Sequence, residues 1–431
     1  LVNVVAMALW SLCRDGRRVL LTRMALEGGI ALVLTAVQWI PTAQYLHLSV
    51  RSDWGGALSG AYALPPGALW TWLSPGALGT PLSGDWLDAT SVFYETCGGF
   101  VGLFVLALAA WGVVRGRRRV PALVLAVLGV LLAFGPRGPI LRSMLSFAML
   151  SYLRTPSRWL FLALWAAILL AGAGWAHLHA RRWPAGARLG ALLAAFIPLA
   201  AWDAAFLRPQ DSKSFLAPKH GIAERFGGRP LRVLTDPGLA NPNKTILYRL
   251  RNVNGYEAFY PKSVPGWAAA AEGEPAADAS RVYVSRWPSE RLSRAGVAAR
   301  LSADGIEEVR SWPLATFLDE KGARLLPDPR VSLESPERWR ILGFPPVGAV
   351  ALAVAETSYP GWRAWVSGAR APLSIWDGIF LSVPVPDPFP RHAPFDLTLE
   401  FRPTFWPWLA LLSAAAWACW LALLARRAEA L

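Results

Sequence analysis

Five arginines raise the first chemical question. Arg137, Arg142, Arg154 and Arg158 fall in one stretch, and no Asp or Glu lies between Gly135 and Trp159 to neutralise them. Arg51 joins them from an earlier loop. A guanidinium is planar and permanently charged, and its fork of N–H donors matches phosphate oxygens in bidentate fashion. The run Arg154–Thr155–Pro156–Ser157–Arg158 leads straight into an apolar stretch. Pro156 suits the first turn of a helix, Thr155 or Ser157 can cap it, and a helix N-terminus favours an anion. The spacing therefore predicts a lipid-phosphate site on Arg154, Arg158, Arg142, Arg137 and Arg51. The plainer reading is anchoring to lipid headgroups, which needs charge but not geometry.

A second set is acidic. Asp53, Asp85, Asp88 and Glu95 lie in a loop that also carries Trp54, Trp70, Trp72 and Trp86. Such carboxylates can act as a general base or hold a divalent metal, and the indoles can stack on sugar rings. An ordinary solvated loop with interface-anchoring tryptophans accounts for the same residues. No cofactor is called for, a divalent metal on this loop being the one option. Cys13, Cys97 and Cys419 share no motif spacing, and His177 and His179, two apart, do not put two ligands on one helix face. No metal site is assigned.

These residues sit in a chain built for a bilayer. Of its 431 residues 54% are hydrophobic and 17% charged, against about 25% charged in soluble proteins. The net charge of +14 is gathered in short arginine runs between apolar stretches, as in cytoplasmic loops and unlike a nucleic-acid groove. The apolar pattern predicts a polytopic α-helical membrane protein with six full spans: Met24–Tyr45, Gly98–Val114, Val120–Phe134, Trp159–Leu178, Leu189–Leu207 and Thr404–Ala425. Leu1–Cys13 is too short to span and reads as a truncated helix, so the chain is taken as the C-terminal part of something longer. Residues 140–152 read as an interfacial helix. Placing the arginine runs at 14–18, 115–119, 181–182 and 426–427 inside puts loop 46–96, segment 135–158 and domain 208–403 outside, with the C-terminus cytoplasmic. The expected location is the plasma membrane.

The domain organisation follows: a helical region 1–207, an extracytoplasmic mixed α/β to all-β domain 208–403, and a final helix with its tail, 404–431. Within the outer domain, apolar alternation over Ala349–Ala355, Ile379–Val385 and Phe395–Phe401 predicts a β-sandwich at about 347–403, with Trp362 and Phe380 in its core. Leu231–Leu234, Thr245–Arg251 and Arg281–Ser285 are upstream strand candidates, and Ala268–Ala279 reads as a small-residue linker.

Several stretches resemble the YfhO family of bacterial multi-pass membrane proteins. They are Gln38–Trp39–Ile40–Pro41–Thr42 running on to Ser49–Val50–Arg51, Tyr94–Glu95 before Gly99 and Gly102, Arg154–Thr155–Pro156–Ser157–Arg158, Asn254–Gly255–Tyr256, and Tyr359–Pro360–Gly361–Trp362 followed by Asp377–Gly378–Ile379–Phe380 and Phe401–Arg402–Pro403. The resemblance covers nearly the whole chain. That family looks like the GT-C glycosyltransferases, which take sugars from polyprenyl-phosphate carriers on the outer face. Their catalytic acid usually lies in a first outer loop upstream of where this chain opens, so no catalytic residue is carried over.

The resemblance thus implies part of a GT-C-type enzyme moving a sugar from a polyprenyl-phosphate carrier to a cell-envelope glycan or polymer. The alternative is a non-enzymatic, membrane-anchored protein for envelope assembly or binding. The implied partners are the lipid bilayer, the lipid-linked sugar and the envelope acceptor, with no nucleic acid.

Overall fold

The computed structural model describes residues 17–50, 62–85, 99–116, 119–138, 155–179 and 184–207. Between 209 and 429 it describes all but 210, 214–216, 218–220, 237–241, 257–259, 274–280, 391–392 and 404. The described residues within Leu1–Ala31 and Asp53–Asp211 form one compact unit, and those within Leu32–Ser52 and Ser212–Leu431 form another.

The helices of the first two hundred residues are α1 (Arg17–Leu34), α2 (Ala36–Leu48), α3 (Leu103–Arg115), α4 (Arg119–Ala133), α5 (Leu160–His179) and α6 (Ala185–Phe206). The expected six full spans are not what forms. Among the described residues, Pro156–Leu178 and Ala185–Phe206 are long and apolar enough to cross a bilayer, and a third span exists only if the pair Gly28–Leu34 and Ala36–Leu48, bent by 81°, counts as one. The shortfall has local causes. Helix α3 starts at Leu103 rather than Gly98 because Gly102 sits at φ 84°, outside helical geometry. Its 13 residues reach about 20 Å, short of the roughly 30 Å of bilayer hydrocarbon. Helix α4 stops at Ala133, where Gly135 turns at φ 58° and Pro136 follows. The expected span Met24–Tyr45 is broken at Thr35. The expected interfacial helix at 140–152 lies outside the described residues.

In the first unit α4 and α5 run antiparallel. A Cβ on Gly129 would lie 2.8–2.9 Å from Ala163 N, Leu162 Cβ and Trp159 O, and one on Gly135 would lie 2.9 Å from Pro156 Cγ. Advancing along α4 therefore means retreating along α5. Gly112 of α3 and Gly174 of α5 meet the facing backbone with no room for a side chain, whereas Gly172 faces open space. Small residues let these backbones approach, as in membrane bundles. Leu125 and Leu132 of α4, Leu162 and Ala166 of α5, and Leu64 from the preceding segment are buried together.

In the second unit α2 runs with the C-terminal helix, Trp406–Glu429. The break before α2 frees backbone groups, and Ser413 of the C-terminal helix satisfies them. Its hydroxyl accepts from Val37 N–H at 3.1 Å and donates to Val33 C=O at 3.2 Å. The C-terminal end of α2 is stitched to the globular body: Val50 N–H donates to Tyr260 C=O at 3.0 Å, and Lys262 N–H to Leu48 C=O at 3.2 Å.

That body begins with α7 (Ile222–Phe226), β1 (Arg232–Thr235), β2 (Arg251–Asn252), β3 (Gly255–Tyr256), α8 (Ser263–Glu272), β4 (Arg281–Val282), α9 (Glu290–Arg294), β5 (Val297–Ser302) and β6 (Gly305–Glu308). A four-stranded sheet runs β2-β1-β5-β6, with β1 parallel to both its neighbours. Strand β1 is buried on both faces, Val233 against Ile222 and Phe226 and Leu234 in the main core. The expected strand Thr245–Arg251 is mostly a 3-10 turn, Pro242–Tyr248, and only Arg251 begins β2. The supposed linker is not one as far as it is described: Ala268 and Ala271 lie on the buried face of α8 beside Trp267.

Strands β7 (Ala315–Leu318), β8 (Arg324–Leu325), β9 (Arg330–Ser335), β10 (Arg338–Gly343), β11 (Ala351–Thr357), β12 (Trp362–Val366), β13 (Ala369–Ala371), β14 (Ser374–Trp376), β15 (Phe380–Pro384) and β16 (Phe395–Phe401) follow. They form two antiparallel five-stranded sheets, β13-β12-β16-β10-β9 and β14-β15-β11-β7-β8. Their strands begin at Ala315, well before the expected boundary near 347. Phe317 of one sheet meets Phe395 of the other edge to face at 6.0 Å. Trp339 is fully buried between them, while Trp362 is half-buried against Phe401.

Candidate functional site

Two places in the fold gather groups able to bind a ligand. The first is the end of the α4/α5 pair. A 3-10 turn, Pro156–Trp159, leads into α5, so the helical segment starts at Pro156, as Pro156 at the first turn requires. Ser157 N–H donates to Tyr62 C=O at 3.2 Å, and Leu64 N–H to Ala133 C=O at 2.8 Å, which locks the segment 62–64 across this end. Gly135 fits between Pro156 and Ala63 where any Cβ would collide. Arg137, two residues beyond Gly135, and Arg158, two beyond Pro156, therefore emerge at the same end of the helix pair, both exposed. Next to Arg158 in the chain, Ser157 is 2% exposed, and its hydroxyl has no hydrogen-bond partner among the described residues. Arg154, Arg142 and Arg51 lie outside the described residues.

Of the acidic loop set only Asp85 is described; Asp53, Asp88 and Glu95 lie outside the described residues. Asp85 closes its own turn. Its carboxylate accepts from the Ser83 hydroxyl and from Thr80 N–H, the latter at 2.9 Å. The Ser83 hydroxyl and then the Thr80 N–H hold the Asp85 carboxyl below its ordinary value. A carboxylate so engaged is a loop staple and a poor general base, since bonds to its charged form weaken its hold on a proton. No group of three His, Cys, Asp or Glu among the described residues is arranged to hold a metal.

The second place is a cavity of about 880 Å³ in the globular body, whose lining includes Arg229, Arg232, Arg249 and Arg251 together with Trp267 and Phe380. Parallel pairing of β1 with β2 sets two of these arginines, Arg232 and Arg251, directly beside each other. Both guanidiniums turn to one carboxylate oxygen, Glu356 Oε2 on β11, at 3.4 Å from Arg232 and 2.6 Å from Arg251. Arg232 also donates to Ala295 C=O at 2.8 Å, and Arg251 lies 4.5 Å from the ring centroid of Trp339. Burial, and after it the neighbouring Arg251, pulls the Arg232 guanidinium down to about 10, while Glu356 works against them. Arg249 sits at φ 55°, a left-handed conformation rare for arginine. Neither Arg229 nor Arg249 has an ion-pair partner among the described residues, and both are exposed.

No family model matches the chain, and no characterised protein or solved structure proved similar to it.

The stretches that carry the family resemblance have structural work of their own. Asn254 is buried, donating to Thr235 C=O at 2.9 Å and accepting from Val284 N–H at 2.7 Å, so it ties β1 to the strand edge beyond β4. Tyr359 and Trp362 pack on Phe401 at 6.1 and 5.4 Å, and Arg402 N–H donates to Gly361 C=O at 2.9 Å. The cavity arginines, in contrast, are invisible as a sequence motif. They are scattered over 229–251, and only the parallel register of two short strands brings Arg232 and Arg251 together. The available signal was the repeated arginine at the start of each short strand.

Proposed function

We propose that this chain is a membrane-embedded protein of the bacterial cell envelope whose helical unit handles a polyprenyl-phosphate-linked sugar, as part of a GT-C-type glycosyl transfer to an envelope glycan or polymer. The observation that carries this reading is that Arg137 and Arg158, both exposed, lie at the same end of the α4/α5 pair, near the start of an apolar helix that also carries the buried Ser157 hydroxyl. A phosphate at a membrane surface asks for that combination: two forked cations, a helix N-terminus and an apolar wall for the chain. The resemblance to YfhO proteins supplies the sugar donor and the outer-face setting. Extracytoplasmic exposure of the globular body and a cytoplasmic C-terminus belong to the same proposal.

Lysine keeps the charge of arginine and loses the planar fork. With protein reconstituted in proteoliposomes, Arg137→Lys and Arg158→Lys are expected to weaken retention of a polyprenyl-phosphate-linked sugar by about tenfold or more, roughly 1.4 kcal/mol. Wild-type retention by both variants would reduce these arginines to headgroup anchors.

A second reading, a membrane-anchored binding protein without transferase chemistry, is favoured by the arginine-lined cavity in the globular body. A protein that retains the lipid-linked sugar but never releases or transfers the sugar to any envelope acceptor would fit that reading.

A further inference from the structure

Among the described residues, the charge around the cavity does not balance. Four guanidiniums line it, and Glu356, behind two of them, is the carboxylate that answers them. Glu334, the carboxylate in the lining itself, is engaged by Arg338 at 3.1 Å. Glu356 gives a single oxygen to both Arg232 and Arg251, so this half-buried triad keeps a net positive charge. Charge left in partial burial is costly unless a counter-ion arrives. Arg229 and Arg249 extend the positive wall to the cavity mouth.

The lining also has an apolar part, with Val253, Val264, Trp267, Ile379 and Phe380. The indole N–H of Trp267 is buried and has no partner among the described residues. Guanidinium forks and aromatic and aliphatic side chains in one lining suit a ligand that carries both anionic groups and C–H surface. A sugar ring bearing a carboxylate or phosphate has that construction. At about 880 Å³ the space is that of a ligand site, which runs to roughly 300–1,000 Å³, and holds a few rings. A concave site of this size does not fit a nucleic-acid duplex, which needs an open groove or a long basic face.

We infer that this cavity binds an acidic saccharide, one to a few sugar units carrying carboxylate or phosphate, with Arg229 and Arg249 reaching the anionic groups and Trp267 and Phe380 facing the ring. This assignment does not depend on lipid-linked sugar handling by the helical unit; it gives a ligand class to the binding reading. Arg232, Arg251 and Glu356 position the wall and are not the variants of choice, because their loss also disturbs the fold.

The test uses the full chain in detergent, with no lipid carrier present. Binding of trigalacturonate (carboxylate arm) and of a sugar phosphate, trehalose 6-phosphate (phosphate arm), is compared by calorimetry with neutral maltotriose, inorganic pyrophosphate and a short DNA duplex. At least one acidic saccharide is expected to bind tenfold or more tightly than maltotriose. The double variant Arg229→Ala/Arg249→Ala should lose tenfold or more of that affinity with an unchanged thermal midpoint, since both side chains are exposed. Arg137→Lys and Arg158→Lys should leave it untouched, which separates this claim from the lipid-phosphate reading. Equal binding of neutral and acidic sugars, no saccharide binding, or full affinity in the double variant would overturn the proposal. So would pyrophosphate binding as tightly as either acidic sugar, which marks an adventitious anion site, and so would a preference for DNA.

Discussion

Arg251 holds Glu356 at 2.6 Å while its guanidinium lies 4.5 Å from the centroid of Trp339, so one side chain joins the edge of the mixed sheet to both sheets of the β-rich body. Glu356 sits on β11 and Trp339 on β10, in different five-stranded sheets. The arrangement makes Glu356 the electrostatic keystone of the globular body, because Arg232 leans on the same oxygen.

Removing that carboxylate leaves two arginines without their counter-ion. Side-chain exposures of 13% for Arg232, 27% for Arg251 and 19% for Glu356 place the triad between surface and core. Breaking a buried pair costs about 3–5 kcal/mol, and partial exposure reduces this to about 2 kcal/mol. Glu356→Gln is expected to lower stability by that amount in urea unfolding of the detergent-solubilised protein, read by protease resistance of the globular body. A change under about 0.5 kcal/mol would mean the triad is screened by solvent.

Core weight rests on Trp339 rather than Trp362. Trp339 is fully buried, and Trp362 is partly open on Phe401. Truncating a buried aromatic costs about 3–5 kcal/mol. Trp339→Ala should therefore abolish protease resistance of the globular body at a temperature where Trp362→Ala retains most of it. The reverse order would misplace the core.

Glu272 ties the end of α8 to the chain beyond β4, accepting from Ser285 N–H at 2.5 Å, Arg286 N–H at 2.8 Å and the Ser285 hydroxyl at 2.8 Å. Burial works to raise this carboxyl, but the Arg286 N–H and the Ser285 hydroxyl and N–H outweigh it and hold it below its ordinary value. A depressed carboxyl contributes stability above its unfolded value, about 4.3, and loses it as pH falls through the lower folded value. Thermal midpoints of the wild type and Glu272→Gln should thus differ at pH 6 and converge below about pH 4. A gap constant across this range would show that the bonds do not depend on the charge.

Ser413 is the small residue on which the α1–α2 break depends, since its hydroxyl serves both Val37 N–H and Val33 C=O. Two hydrogen bonds at about 0.5–1.5 kcal/mol each are at stake. Ser413→Ala should lower the thermal midpoint of the purified protein measurably, and Ser413→Thr, which keeps the hydroxyl, should restore most of it. Identical behaviour of the alanine and threonine variants would mean water or lipid takes over.

What could be read from the sequence was what local pattern controls. The period-two apolar residues of Ala349–Ala355 and Phe395–Phe401 lie on β11 and β16, and the apolar run from Trp159 lies in α5. Helix length was not legible, because hydropathy counts apolar residues and does not register the turn at Gly102, the stop at Gly135 or the break at Thr35. Ala268 and Ala271 read as linker in the sequence because small residues look featureless, and only the burial of Trp267 beside them marks a packed helix face. The cavity was hidden for a different reason. It depends on the pairing of Arg232 with Arg251 across a parallel register, and on Glu356 more than a hundred residues later, which no local window contains.

A polyprenyl phosphate is proposed to rest at the end of the α4/α5 pair. The most direct measurement is photo-crosslinking with a diazirine-bearing polyprenyl-phosphate sugar in proteoliposomes, with the modified peptides mapped by mass spectrometry. Labelling is expected to concentrate around Phe134–Gly138 and Thr155–Leu160, to be competed by unlabelled carrier and to fall in Arg158→Lys. Labelling spread evenly over the apolar faces of α5 and α6, or unaffected by competitor, would contradict it.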